Sequence, residues 1–259
     1  MAGISIDITK SIEENAGVYY EKAKKLKKKL KGAEKAIEEL KRKLTKLEQL
    51  KKLEEKSAEK IPVHQKKEWY EKFRWFISSE GFLCIGGRDA TTNEIIVKKH
   101  TDNDDIVFHT DMVGSPFFVV KTGAKKPTDK TLSEAADATV TFSRAWKLNM
   151  QSTPAFYCRP EQLTKEAPPG EYIPRGGFIT KGKLNYIENK INLAVGITKD
   201  GKIMSGPLNA VKANCGKYVE MEQGKERTSK AAKQIQYKIG GSLDDIIAAL
   251  PAGGCKVKK

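Results

Sequence analysis

Eight apolar residues, Ala23, Leu26, Leu30, Ala33, Ile37, Leu40, Leu44 and Leu47, follow one another at gaps alternating between three and four, and no proline precedes Pro62. That spacing is the seam of a coiled-coil helix, with lysines, arginine and glutamates on the remaining, solvated faces. Gly32 is its one weak point, the place for a kink or the tip of a hairpin. A single amphipathic helix leaves its leucines facing water, so the seam requires a partner. Three partners fit: a second copy of the chain in a coiled-coil homodimer, a folded-back segment such as residues 65–78, or a separate protein. The pattern divides the chain into a coiled-coil arm, residues 1–62, and a second domain, residues 63–259.

Beyond residue 63 the texture changes to short β-rich runs separated by Gly, Pro, Asn and Asp. A helix is expected over 67–78, and strands over 81–85, 94–98, 106–109 and 117–121. Thr131-Leu132-Ser133-Glu134 has the spacing of a capping box and predicts a helix over about 132–147. Further strands are expected over 155–159, 177–181, 191–197 and 218–221. Ser242 opens a short helix that Pro251 stops. Strands with few helices and no regular β-α-β alternation predict an α+β domain. The proline- and glycine-rich loop 165–177 suits ligand contact.

The formal charge of +15 favours polyanionic partners, and RNA, DNA and anionic membranes all qualify. Cys84, Cys158, Cys215 and Cys255 lie far apart without Cys-x-x-Cys spacing, which points to reduced thiols rather than a zinc site or disulfide framework. No apolar run is long enough to cross a membrane and the first ten residues lack a signal-peptide core, so a soluble, cytoplasmic protein is expected.

Trp69, Tyr70, Phe73, Arg74, Trp75 and Phe76 mix aromatic and cationic character. At helical spacing Trp69, Phe73 and Phe76 share a face that belongs in a core, which leaves Arg74 as the ligand candidate. Lys98, Lys99 and His100 close one expected strand, and Lys121, Lys125 and Lys126 another, the places where a basic rim meets a polyanion. His100, His109 and Asp111, with Asp102, Asp104 and Asp105 nearby, have the residue types of a metal-dependent nuclease, but Asp102-Asn103-Asp104-Asp105 also suits a plain turn. Gly86-Gly87-Arg88 lacks the downstream Gly-Lys-Ser/Thr of a phosphate loop, and no cofactor is expected.

Several ordered motifs add a resemblance: Arg88-Asp89-x-x-x-Asn93-Glu94, Asp105-Ile106-x-x-His109-x-Asp111, Gly114-Ser115, Thr131-x-x-Glu134-Ala135, Ser143-x-Ala145-Trp146 and Ala167-Pro168-x-Gly170-Glu171-Tyr172. Together they resemble the RNA-binding (NFACT-R) domain of the NFACT family of ribosome-associated quality-control factors. The resemblance implies a non-enzymatic protein that contacts large-subunit ribosomal RNA or tRNA on stalled, split ribosomes. It implies RNA-contacting roles for Arg88, Asp89, Asn93, His109, Asp111, Gly114, Ser115, Ser143, Trp146 and Arg175, with Arg144 inside the same motif. Arg88 and Arg175 suit phosphate, Asn93 a loop or a base edge, and His109 a phosphate or 2′-hydroxyl with Asp111 holding its tautomer. Trp146 suits either base stacking or packing. The family's N-terminal domain, absent from this sequence, is then expected on a longer chain or as a partner in trans.

Overall fold

A computed structural model describes residues 5–58, 67–167, 170 and 172–258, which fall into two compact units, Met1–Gln65 and Lys66–Lys259. The first is one helix, α1 (Ile12–Ala58). Its start is fixed by a reciprocal box in which Ser11 Oγ accepts from the Glu14 amide at 3.1 Å and Glu14 accepts from the Ser11 amide at 2.9 Å. Gly32 neither kinks nor turns the helix, which runs through it. Leu26, Leu30 and Leu40 are each more than 60% exposed, so the seam lies bare. The proposed boundary at Ile61-Pro62 lies outside the described residues.

The second unit opens with a 3₁₀ turn, Trp69–Lys72. There follow β1 (Arg74–Ile77), β2 (Leu83–Gly86), α2 (Ala90–Lys99), β3 (Ile106–Thr110), β4 (Phe118–Lys121), α3 (Asp129–Thr141), α4 (Arg144–Lys147) and β5 (Ala155–Cys158). Then come β6 (Leu163–Thr164), β7 (Ile179–Thr180), β8 (Asn185–Ile187), β9 (Leu193–Thr198), β10 (Ile203–Gly206), α5 (Leu208–Asn214), β11 (Cys215–Gln223), α6 (Thr228–Ile239), α7 (Leu243–Ala249) and β12 (Cys255–Val257). One sheet has the order β1-β2-β4-β3-β5-β8, a second β10-β9-β11-β12, and β6 pairs with β7; every pairing is antiparallel. This is an α+β architecture. Helix α3 packs on β3, β4 and β5, and α5 touches both larger sheets. A single core joins them, with Phe73, Phe76, Phe108, Phe118, Ile235 and Ile246 wholly buried. All four cysteines are free and buried in it: Cys84 and Cys158 in the six-stranded sheet, Cys215 and Cys255 in the four-stranded one.

Three expectations are corrected. Described residues 67–78 form one 3₁₀ turn and a strand, not a helix, so they supply no helical partner for α1. Residues 94–98 belong to helix α2, not a strand. The helix expected over 132–147 begins at its Thr128 cap and breaks at Phe142, where Ser143 caps the separate α4.

Candidate nucleic-acid interface

Helix α2 forms despite Thr91, Thr92, Ile95, Ile96 and Val97, because its start is over-determined. The Asp89 carboxylate accepts from the Thr92 amide at 2.8 Å, while Thr92 Oγ1 accepts from the amides of Asp89 and Arg88 at 2.9 and 2.8 Å. The chain reaches this cap through Gly86-Gly87, and a Cβ on Gly87 would overlap Asn93 Oδ1. Asn93 is buried and ties the next segment down: its Oδ1 accepts from the Phe117 amide at 3.1 Å and its Nδ2 donates to the Ser115 carbonyl at 3.4 Å. Ser115 is buried too, its hydroxyl donating to the Met112 carbonyl at 2.8 Å beside Thr110 Oγ1. Between them Gly114 turns through φ +87°, facing open space.

A third segment, residues 174–178, is clamped on by Glu94. Its carboxylate accepts from Lys98 Nζ at 2.7 Å, the Gly176 amide at 3.1 Å and Lys165 Nζ at 3.3 Å. These donors, Lys98 foremost, hold its pKa at about 2. Gly176, at φ +78°, lies so close to Ala90 that a Cβ would strike the helix backbone.

The three segments enclose a cavity of about 390 Å³. It brings together Arg88, Asp89, Asn93, His109, Gly114, Ser115 and Arg175, seven of the positions singled out from the sequence. Its apolar wall is Phe117, Phe142 and Phe178. The His109 ring stacks on Phe117 at 4.1 Å, and burial pushes its pKa down, so it is a neutral plate rather than a cation at pH 7. Arg175 is exposed on the rim and has no salt bridge among the described residues; Asp89 lies within its field and is held below the usual carboxylate range chiefly by the Thr92 amide. Arg88 is exposed but its guanidinium donates inward, to the Phe73 carbonyl at 3.0 Å and the Glu71 carbonyl at 3.4 Å.

The other candidates do not line the cavity. Arg74 is turned inward: it donates to the Leu250 carbonyl at 3.1 Å, lies 4.4 Å from the centre of the Phe142 ring, and its pKa falls to about 10 through burial and then the charge of Arg88. No carboxylate pairs with it among the described residues, so its charge stands behind the Phe142 wall. Lys98 and Lys99 end a helix rather than a strand, about 13 Å along its axis from Ala90, and Lys98 is spent on Glu94. Lys121 is likewise paired, with Asp102 and Asp105. Asp111 accepts from Tyr186 Oη at 3.3 Å. Ser143 caps α4, and Trp146 is buried with its Nε1 donating to the Gly254 carbonyl at 3.0 Å, so packing, not base stacking, is its role. Arg144 is exposed on the first turn of α4. His100 stacks on Trp69 at 4.6 Å while His109 stacks on Phe117, and among the described residues no three His, Cys, Asp or Glu side chains converge as metal ligands. Pro168 and Glu171 of the sequence motif lie outside the described residues. Gly176 and the aromatic wall were missed from sequence; the Arg175-Gly176-Gly177 turn was their only signal.

Every cavity-lining residue falls inside residues 72–182, which match the NFACT protein RNA binding domain, while residues 1–71 match the NFACT N-terminal and middle domains. The chain belongs to the NFACT family. Among NFACT relatives, the archaeal Rqc2 homolog aRqcH of Methanocaldococcus jannaschii is 43% identical over 77% of this chain and 31% of its own length. The ribosome quality control complex subunit NEMF of Homo sapiens is 38% identical over 67% of this chain and 16% of its own, and subunit 2 of the same complex in Schizosaccharomyces pombe 35% over 71% and 18%. This chain therefore spans less than a third of the length of these NFACT relatives. Among the described residues no helix is long and apolar enough to cross a membrane.

Proposed function

We propose that this chain is a non-catalytic RNA-contacting component of ribosome-associated quality control, which sets the α2 cavity and its arginine rim against large-subunit ribosomal RNA or tRNA on stalled, split ribosomes. The observation that carries the reading is convergence: seven positions from three separated stretches of sequence meet at one cavity, inside the segment that matches an RNA-binding domain. The +15 charge supplies the attraction, and Arg175 with Arg88 gives it a place to act. The names of the archaeal, human and yeast relatives support the ribosomal setting. The bare leucine seam of α1 suits a helical partner, either a second copy of the chain or a protein carrying the family's N-terminal domain, and the site of action is the cytoplasm.

Binding to purified large subunits and to tRNA tests the reading. The logarithm of the affinity is expected to fall linearly with that of salt concentration, by about 0.7 to 0.9 per phosphate neutralised. Arg175→Ala, an exposed position, is expected to weaken binding and flatten the slope without altering the circular dichroism spectrum, and Arg88→Ala to add to the loss. Salt-independent binding, or full affinity in the double variant, refutes the proposal.

A further inference from the structure

The cavity is shaped for more than a phosphate. A site for the backbone alone needs only cations on an open surface, whereas this one has an enclosed interior whose walls are Phe117, Phe142, Phe178, Pro116 and Pro174, with charge confined to Arg88, Asp89 and Arg175. A backbone phosphate resting on the rim would leave that apolar wall in contact with water, a free-energy cost that a flat, apolar group attached to the phosphate removes. His109 supports the same ligand. Its ring lies within 25° of parallel to Phe117, is half-buried and is neutral at pH 7, which makes it a stacking plate with one nitrogen donor and one acceptor. The walls are also firmly set: Asn93 bonds the 115–117 strand entry to α2, and Glu94 bonds the 174–178 loop to it, so the space is formed before anything enters. The volume, about 390 Å³, lies within the range of small-molecule sites, roughly 300–1,000 Å³.

We infer that the cavity receives the base of one unpaired nucleotide of an RNA strand, stacked beside His109 among the phenylalanines, while the flanking phosphates lie on Arg175 and Arg88. This deepens the function proposed above and rests on it. A base held in a duplex cannot leave its stack without breaking its pair, so the inference selects single-stranded loops, bulges or ends over paired RNA.

The test uses the full chain with four probes: an oligoadenylate of about twelve nucleotides, an abasic ribose-phosphate strand of equal length and charge, the oligoadenylate paired to oligouridylate, and adenosine monophosphate. The oligoadenylate is expected to bind about tenfold more tightly than the abasic strand, the effect of one buried, stacked base, and more tightly than the duplex. Strands carrying 4-thiouridine, irradiated and digested, are expected to give cross-links to the peptides holding His109, Phe117 or Phe178. Equal affinity for the oligoadenylate and the abasic strand, or cross-links confined to other surfaces, overturns the inference. If Arg175→Ala still weakens all strands in that case, the rim-and-phosphate reading survives alone; if no strand binds, both fall. Adenosine monophosphate binding as tightly as the strand places a soluble nucleotide in the cavity and overturns the assignment to RNA.

Discussion

Three donors converge on one carboxylate at Glu94, and two of them, the Gly176 amide and Lys165, belong to a loop seventy or more residues downstream. Their effect has a definite pH dependence. The folded-state pKa of about 2 lies below the ordinary 4.5, so the contribution to holding the loop is complete above 4.5 and drains away as the pH falls toward 2. Between those values the Gly176 amide is expected to lose protection in hydrogen-exchange mass spectrometry before the sheet amides do. Glu94→Gln is expected to produce the same loosening at neutral pH, together with weaker RNA binding. The sequence placed Glu94 in a motif and gave it no task, because its partners become neighbours only when the 174–178 loop folds over α2. The same distance explains Arg74: its length and charge were plain, but the Leu250 carbonyl that claims it lies 176 residues away.

Local signals decided which elements were legible. The β2, β3 and β4 strands stand out as apolar runs bounded by turn residues, and α7 by its Ser242 cap, which accepts from the Asp245 amide. Helix α2 shows the limit of the method. Its β-branched residues favour a strand, and the Asp89 and Thr92 cap with the tertiary clamp through Asn93 overrides them. Asp89→Ala is accordingly expected to cost about 1 kcal/mol of stability, the usual worth of an N-cap, measured by urea denaturation. Since the cap lines the cavity, RNA affinity is expected to fall with it. Helices α5 and α6 escaped notice because Pro207 and Arg227 provide no side-chain cap, and half of α6's buried stripe is Ala231 and Ala232, too small to mark a period. Residues 73–77 misled in the other direction: Trp69, Phe73 and Phe76 have helical spacing, yet Phe73 and Phe76 reach the core from a turn and a strand.

At the scale of the molecule, the division into an extended helix and an α+β unit was open to reading, since heptad spacing and β-rich runs are physically incompatible within one element. The joining of two sheets into one core was not, because it depends on pairings between distant strands that no short window contains. That shared core has a practical consequence through its thiols. Burial raises Cys158, Cys215 and Cys255 to about 11 and Cys84 well above the ordinary value, so the reactive thiolate is scarce as well as hidden. Iodoacetamide should therefore leave the native chain unalkylated and act as a clock for opening. Because one hydrophobic cluster holds all four sulfurs, their labelling is expected to advance in step; a faster pair at Cys215 and Cys255 would reveal instead a C-terminal sheet that peels away first.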